Sequence, residues 1–129
     1  MKRDSSILIV DDDARILEAQ SALLERAGYR VATASTGQDG LQKARELRPD
    51  LVLLDVVLPD IGGFKICRRL KEDPSLEGMI VILLSGVRTG SDDKAHGLEA
   101  GADSMLTRPI ANRELLARIE AFMRIRQAE

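Results

Sequence analysis

Three unbroken apolar runs constrain this chain most: Ile7-Leu8-Ile9-Val10, Leu51-Val52-Leu53-Leu54, and Met79-Ile80-Val81-Ile82-Leu83-Leu84. None alternates with polar residues, so each reads as a strand covered on both faces. Strands of that kind belong to parallel sheets, whose crossovers are helices. The intervening segments supply them. Residues 14–27 carry Ile16, Leu17, Leu23 and Leu24 at helical spacing and close on Gly28. Residues 30–34 read as a second, less apolar strand. A helix capped by Ser35 or Thr36 follows, with Leu41, Ala44 and Leu47 on one face and Pro49 at its end.

The second half repeats the alternation. The stretch 58–63 is a loop by its Pro and Gly content. Residues 64–72 form a helix offering Ile66, Cys67 and Leu70 to a core, broken by Asp73-Pro74. A weakly apolar helix spans 91–100 and ends at Gly101, and 104–106 form a fifth strand. The last helix starts near Asn112, with Leu115, Leu116, Ile119, Phe122 and Met123 as its buried stripe. Strand and helix thus alternate five times, which predicts one α/β domain over 1–129: a five-stranded parallel sheet with helices on both faces.

Ligands of such sheets bind beyond the carboxyl ends of the strands. The residues falling there are Asp11-Asp12-Asp13, Asp55, Ser85-Gly86 and Thr107-Arg108-Pro109. Several carboxylates converging on one spot repel and call for a cation. An all-oxygen donor set suits Mg²⁺ (or Mn²⁺). An ionised Asp55 beside a metal is a nucleophile toward an activated phosphoryl group. Ser85 is placed to hydrogen-bond a phosphoryl oxygen, and Arg108 to offset developing charge. A carboxylate nucleophile needs no general base, so a chain whose only histidine is His96 can run this chemistry.

Composition removes other classes. A net charge of −2 and 2% aromatic residues argue against direct nucleic-acid binding. The single Cys67 rules out an internal disulfide and fits a reducing, cytoplasmic setting. No apolar run is long enough for a signal peptide or membrane helix.

The same residues carry a family resemblance. The runs ending in Asp11-Asp12-Asp13 and Asp55, the loop Val56-Val57-Leu58-Pro59-Asp60-Ile61-Gly62-Gly63, the strand ending Ser85-Gly86, Leu98-Glu99-Ala100-Gly101-Ala102-Asp103, and Leu106-Thr107-Arg108-Pro109-Ile110 together resemble a response-regulator receiver domain of two-component signalling. The resemblance spans nearly the whole chain. It implies a flavodoxin-like fold with strand order 2-1-3-4-5. It also implies a domain that takes a phosphoryl group from a sensor histidine kinase or phosphotransfer protein and then switches a partner-binding face. Such a domain catalyses only its own phosphorylation and dephosphorylation.

Position by position, the resemblance makes Asp55 the phosphoacceptor. Asp12 and Asp55 become direct metal ligands, Asp11 a ligand through water, and Val57 a ligand through its backbone carbonyl. Ser85 becomes the switching hydroxyl, and Gly86 the residue that lets the backbone approach the phosphoryl group. Two positions depart from the pattern. Arg108 stands where the family carries lysine, a forked guanidinium in place of a point charge. It could grip phosphoryl oxygens, or pair with Asp11 or Asp12 and hold the site closed. Met105 stands at the switch position, usually aromatic, which predicts a softer repacking of that face. Val57 and Val87 flank the route of hydrolytic water in the family, and being apolar they predict a slowly decaying phosphoform.

These departures keep a phosphorylation-independent binding module as the alternative. A phosphatase with an aspartyl nucleophile would want a second aspartate where Val57 stands. A flavoprotein would not place three aspartates at its phosphate loop. The end of the chain resembles receivers whose last helix runs into a linker toward an output domain. Ile119, Met123 and Arg126 are read as continuing the helical face past the core. Pairing of two copies through the fourth helix, fifth strand and fifth helix would use Lys94, His96, Glu99, Asp103, Arg113 and Arg118.

Overall fold

Each apolar run becomes a central strand. The computed structural model describes residues 5–86 and 91–127, with side chains for 5–86 and 95–127. The order is β1 (Ser6–Val10), α1 (Ala14–Arg26), β2 (Arg30–Ala34), α2 (Gly37–Leu47), β3 (Leu51–Asp55), α3 (Gly63–Glu72), β4 (Ile80–Ser85), α4 (Ser91–Glu99), β5 (Ser104–Thr107) and α5 (Asn112–Gln127). All pairings are parallel, as the alternation of strands and helices predicts, and the spatial order is β2-β1-β3-β4-β5, the order the family resemblance implies. The chain enters the sheet at β1, steps out to β2, then returns past β1 to β3. The strand order therefore reverses between β1 and β3, and a crevice opens above their ends.

The period-2 alternation of a strand sorts the apolar runs onto two faces. Leu8, Val10, Val52, Leu54, Val81 and Leu83 pack against Leu41 and Ala44 of α2 and Ile66, Cys67 and Leu70 of α3. Ile7, Ile9, Leu51, Leu53, Ile82 and Leu84 pack against Leu24 of α1 and Leu115, Ile119 and Met123 of α5. Each fully buried Leu or Ile contributes roughly 1.5–3 kcal/mol, so both layers are needed to hold the central strands. Cys67 is fully enclosed in the first layer, and burial pushes its thiol up to about 11.

Several boundaries differ from the sequence reading. Leu47 is 54% exposed and lies outside the core face assigned to it. Pro49 disfavours right-handed helix at the residue before it. α2 therefore stops at Leu47, and Arg48 caps it in the left-handed conformation, φ 49°. Thr36, rather than Ser35, caps the start, accepting from the Asp39 amide at 3.0 Å. Asp73-Pro74 does break α3, and Asp73 then caps a short 3₁₀ turn, Pro74–Leu76. Of the predicted α5 stripe, Leu116 and Phe122 are only partly buried.

Arg126 does not extend the core face either. Its Nε donates to Asp50 Oδ1 at 2.9 Å and its Nη1 donates to the Gly78 carbonyl, while Asp50 Oδ2 accepts from the Ser6 amide at 2.8 Å. This clamp fastens the last turn of α5 beneath the starts of β1, β3 and β4. No helix among the described residues is long and apolar enough to cross a membrane.

Candidate functional site

Backbone ladders place the site residues before any side chain is considered. The Asp11 amide donates to Ala34 O at 3.0 Å, carrying the β1–β2 ladder one residue past the strand. Asp55 is the last residue of β3 and lies opposite Leu84 of β4. The Arg108 amide donates to Ser85 O at 2.7 Å, which extends β5 against β4 in the same way. Four strand ends thus deliver four side chains to one crevice.

The three aspartates after β1 divide their work. Asp13 caps α1, its Oδ1 accepting from the Arg15 amide at 2.9 Å, and this hydrogen bond holds its carboxyl below the usual range. Asp11 and Asp12 remain for the site. Carboxylate oxygens of Asp11, Asp12 and Asp55 lie within 4.8 Å of one another. Asp11 is 1% exposed, whereas Asp12 is open to solvent. Burial raises the Asp55 carboxyl above its ordinary value, with the charges of Asp11 and Asp12 adding to the rise. The Val57 amide, donating at 3.2 Å, and the Arg108 charge pull the other way. Three hard oxygen donors with surplus negative charge fit a divalent cation of the Mg²⁺ type.

Arg108 reaches into this cluster. Its Nη2 lies 2.6 Å from Asp11 Oδ2 and its Nη1 lies 3.6 Å from Asp55 Oδ1. The pairing with Asp11 is one of the two outcomes expected of an arginine here. The second oxygen of Asp11, Oδ1, accepts from the Asp13 amide at 2.9 Å. Ser85 is buried, and its hydroxyl donates to Leu106 O at 3.5 Å, toward β5. Among the described residues, a Cβ on Gly86 would meet nothing within 4 Å. The Val57 side chain is 73% exposed beside Asp55. Val87 and the Lys94 side chain lie outside the described residues.

Three residues that shape the site escaped the sequence reading. Gly63 donates to Val56 O at 2.8 Å, and a Cβ there would sit 2.3 Å from the Asp55 carbonyl oxygen. Only glycine lets α3 start this close to the end of β3. Asp60 accepts from the amides of Gly37 at 2.7 Å and Gln38 at 2.9 Å, which tie the β3–α3 loop to the start of α2 and lower its carboxyl. Gly97 of α4 is the third, since a Cβ there would lie 2.8 Å from Met105 Sδ. Met105 therefore tucks under α4 in the space a glycine leaves, near Phe64, whose ring meets His96 at 5.8 Å. Gly63 had a legible signal in the pair Gly62-Gly63; the partners of Asp60 and Gly97 are too distant in sequence to read.

Comparison with known proteins agrees with this geometry. Residues 7–120 match the response regulator receiver domain family. The transcriptional regulatory protein AfsQ1 of Streptomyces coelicolor is 45% identical over 119 residues, covering 92% of this chain and 51% of that protein. The alkaline phosphatase synthesis transcriptional regulatory protein PhoP of Bacillus subtilis is 40% identical, covering 94% of this chain and 49% of that protein. The chain spans about half the length of the curated relatives it matches. Among solved structures, a CheY-like receiver domain protein from Methanospirillum hungatei superposes with a TM-score of 0.89 at 33% identity, covering 97% of this chain and 98% of that one. The BeF3-activated DrrB receiver domain superposes with a TM-score of 0.84 at 40% identity, covering 94% and 98%.

Proposed function

This chain belongs to the response regulator receiver family, and on that footing we propose that Asp55 is its phosphoacceptor. The observation that carries the reading is the convergence of Asp11, Asp12 and Asp55 within 4.8 Å, with one guanidinium set against them. A loop tip could hold acidic residues by chance. Three from two strand ends, crowded together and partly buried, are costly unless charge is their purpose.

In the proposed reaction an Asp55 carboxylate oxygen attacks the phosphorus of a phosphohistidine on a sensor histidine kinase or phosphotransfer protein. The P–N bond breaks and the imidazole leaves with the bonding pair. Arg108 Nη1, already facing Asp55, takes up phosphoryl charge. Asp12 and Asp55, Asp11 through water, and the Val57 carbonyl would hold Mg²⁺ (or Mn²⁺), which offsets the charge of carboxylates and phosphoryl oxygens. The Ser85 hydroxyl turns from Leu106 O toward a phosphoryl oxygen, beside Gly86. That rotation gives up the Leu106 contact, and Met105 repacks beneath α4. The domain so acts on itself alone, in the cytoplasm, and its output is a downstream domain or protein.

A second copy pairing through α4, β5 and α5 is part of this reading. His96, Glu99 and Arg113 are exposed there, and Arg118 pairs with Glu114 at 3.1 Å. Asp103 instead serves its own fold, accepting from Lys71 at 3.0 Å and the Val81 amide at 2.8 Å. Some relatives are named as DNA-binding regulators. With a net charge of −2 and few aromatic residues, the 129 residues here favour contact with protein rather than nucleic acid.

Intact mass after incubation with acetyl phosphate and Mg²⁺ tests the reading. One added phosphoryl group, absent in Asp55→Asn and without metal, is expected. An unchanged mass alongside measurable Mg²⁺ binding points to a partner-dependent or phosphorylation-independent module, and an unchanged mass with a phosphorylated histidine kinase as donor as well overturns phosphoacceptance. Because exposed Val57 cannot orient water, the phosphoform decays slowly, and a half-life of seconds would contradict that.

A further inference from the structure

We propose that Arg108 is a built-in competitor for the divalent cation: by holding Asp11 in a charge-assisted pair it withdraws one carboxylate from the metal's donor set and sets the site's metal affinity low. The inference rests on reading Asp11, Asp12 and Asp55 as the metal site, and deepens it.

The argument starts from Asp11, the most enclosed of the three. Both of its oxygens are engaged: Oδ2 by Arg108 Nη2 at 2.6 Å, and Oδ1 by the Asp13 amide at 2.9 Å. A short N⁺–H···O⁻ contact of this kind is among the stronger hydrogen bonds a protein makes. The guanidinium also reaches Asp55 Oδ1 at 3.6 Å through its other nitrogen. A point-charge ammonium has no second tooth and no fixed fork with which to span two carboxylates. Arg108 is itself well anchored. Its amide is in the β4–β5 ladder and its side chain is only 21% exposed, so it is not free to swing into solvent at no cost.

Affinity for hard cations follows the number of charged oxygen donors and the freedom of the site to adjust. A cation entering here meets exposed Asp12 and the loosely held Asp55, but finds Asp11 already neutralised. To take up its full donor set it must break the Arg108–Asp11 contact, and that break weakens binding. Removing the guanidinium leaves three carboxylates with no other cation of the described residues among them, which favours a divalent ion.

Calorimetric titration with MgCl₂ alone on the full chain, Arg108→Gln and Arg108→Lys reads this directly. Arg108→Gln is expected to bind about tenfold tighter than the parent, the equivalent of one charge-assisted hydrogen bond no longer broken on entry. Arg108→Lys falls between them. Equal or weaker binding by both variants, each with a cooperative thermal melt, overturns the proposal. If Arg108→Gln fails to melt cooperatively, Arg108→Lys decides alone. In the parent chain, the Arg108 guanidinium NMR signal should shift as Mg²⁺ saturates the site; a signal unmoved at saturation overturns the proposal independently. Tighter metal binding by the variants without any phosphoryl uptake would support this competition while sinking phosphoacceptance. Uptake with equal affinities would do the reverse.

Discussion

The sheet carries an arginine–aspartate pair at each end, and the two are built to opposite purposes. Beneath the strand starts, Arg126 meets Asp50 at 2.9 Å, and the second Asp50 oxygen accepts the Ser6 amide at 2.8 Å. One carboxylate faces one guanidinium and every contact is local to the fold. Above the strand ends, Arg108 meets Asp11 at 2.6 Å, but Asp12 and Asp55 crowd the same space. Among the described residues, one guanidinium there faces three carboxylates. The lower pair closes the domain; among the described residues the upper one leaves negative charge unmatched, and burial of Asp55 makes that charge costly. Unmatched charge in a partly buried crevice marks a place kept for a ligand.

The sharpest way to break this contrast is through the glycines beside each pair. Gly63→Ala drives a Cβ to 2.3 Å from the Asp55 carbonyl, backbone against backbone, with no side chain able to yield. We expect a loss of about 3 kcal/mol in urea unfolding. At the lower end, Gly78→Ala meets only the movable Arg126 Nη1 at 2.9 Å, with φ at 88°. It should cost roughly 1 kcal/mol. Equal losses would mean that the site end is no more tightly built than the other.

Neutralising one carboxylate at each end should act in opposite directions. Asp50→Asn weakens two hydrogen bonds at a partly exposed pair and is expected to cost about 1–2 kcal/mol. Asp55→Asn relieves a buried, repelled charge and should raise the melting temperature at neutral pH by a few degrees, on the order expected for small domains. The pH dependence fixes the sign. The folded state holds the Asp55 proton above the ordinary 3.8, so protonation favours folding. That contribution is complete below 3.8 and disappears as pH rises through the elevated value. The advantage of Asp55→Asn over the parent should therefore open across that window, and a constant gap from acid to neutral pH would contradict it.

A smaller effect separates the three aspartates themselves. Asp13→Ala removes a helix cap and should cost about 1 kcal/mol, with Mg²⁺ affinity in calorimetry nearly unchanged. A large fall in metal affinity would place Asp13 in the site after all.

Much of this was legible in the sequence because it depends on local pattern. Unbroken apolar runs at 7–10, 51–54 and 79–84 specify strands covered on both sides, and their order specifies the sheet. The acids at strand ends follow from that order. What stayed hidden depends on partners distant in sequence. Asp60 is a cap for a helix that begins 23 residues earlier, and a lone loop aspartate carries no mark of it. Arg126 extends a helical stripe by spacing, yet its guanidinium is claimed by Asp50, 76 residues away. Leu47 has the spacing of a core residue, yet as the last residue of α2 it stays exposed.

Cys67 gives the domain a built-in clock. Enclosed between α3 and the sheet, with its thiol pushed up to about 11, it presents almost no thiolate at neutral pH while the fold is intact. An alkylating reagent can therefore modify it only during moments when α3 lifts away. The rate of labelling measures how often that helix opens, with no engineered cysteine needed.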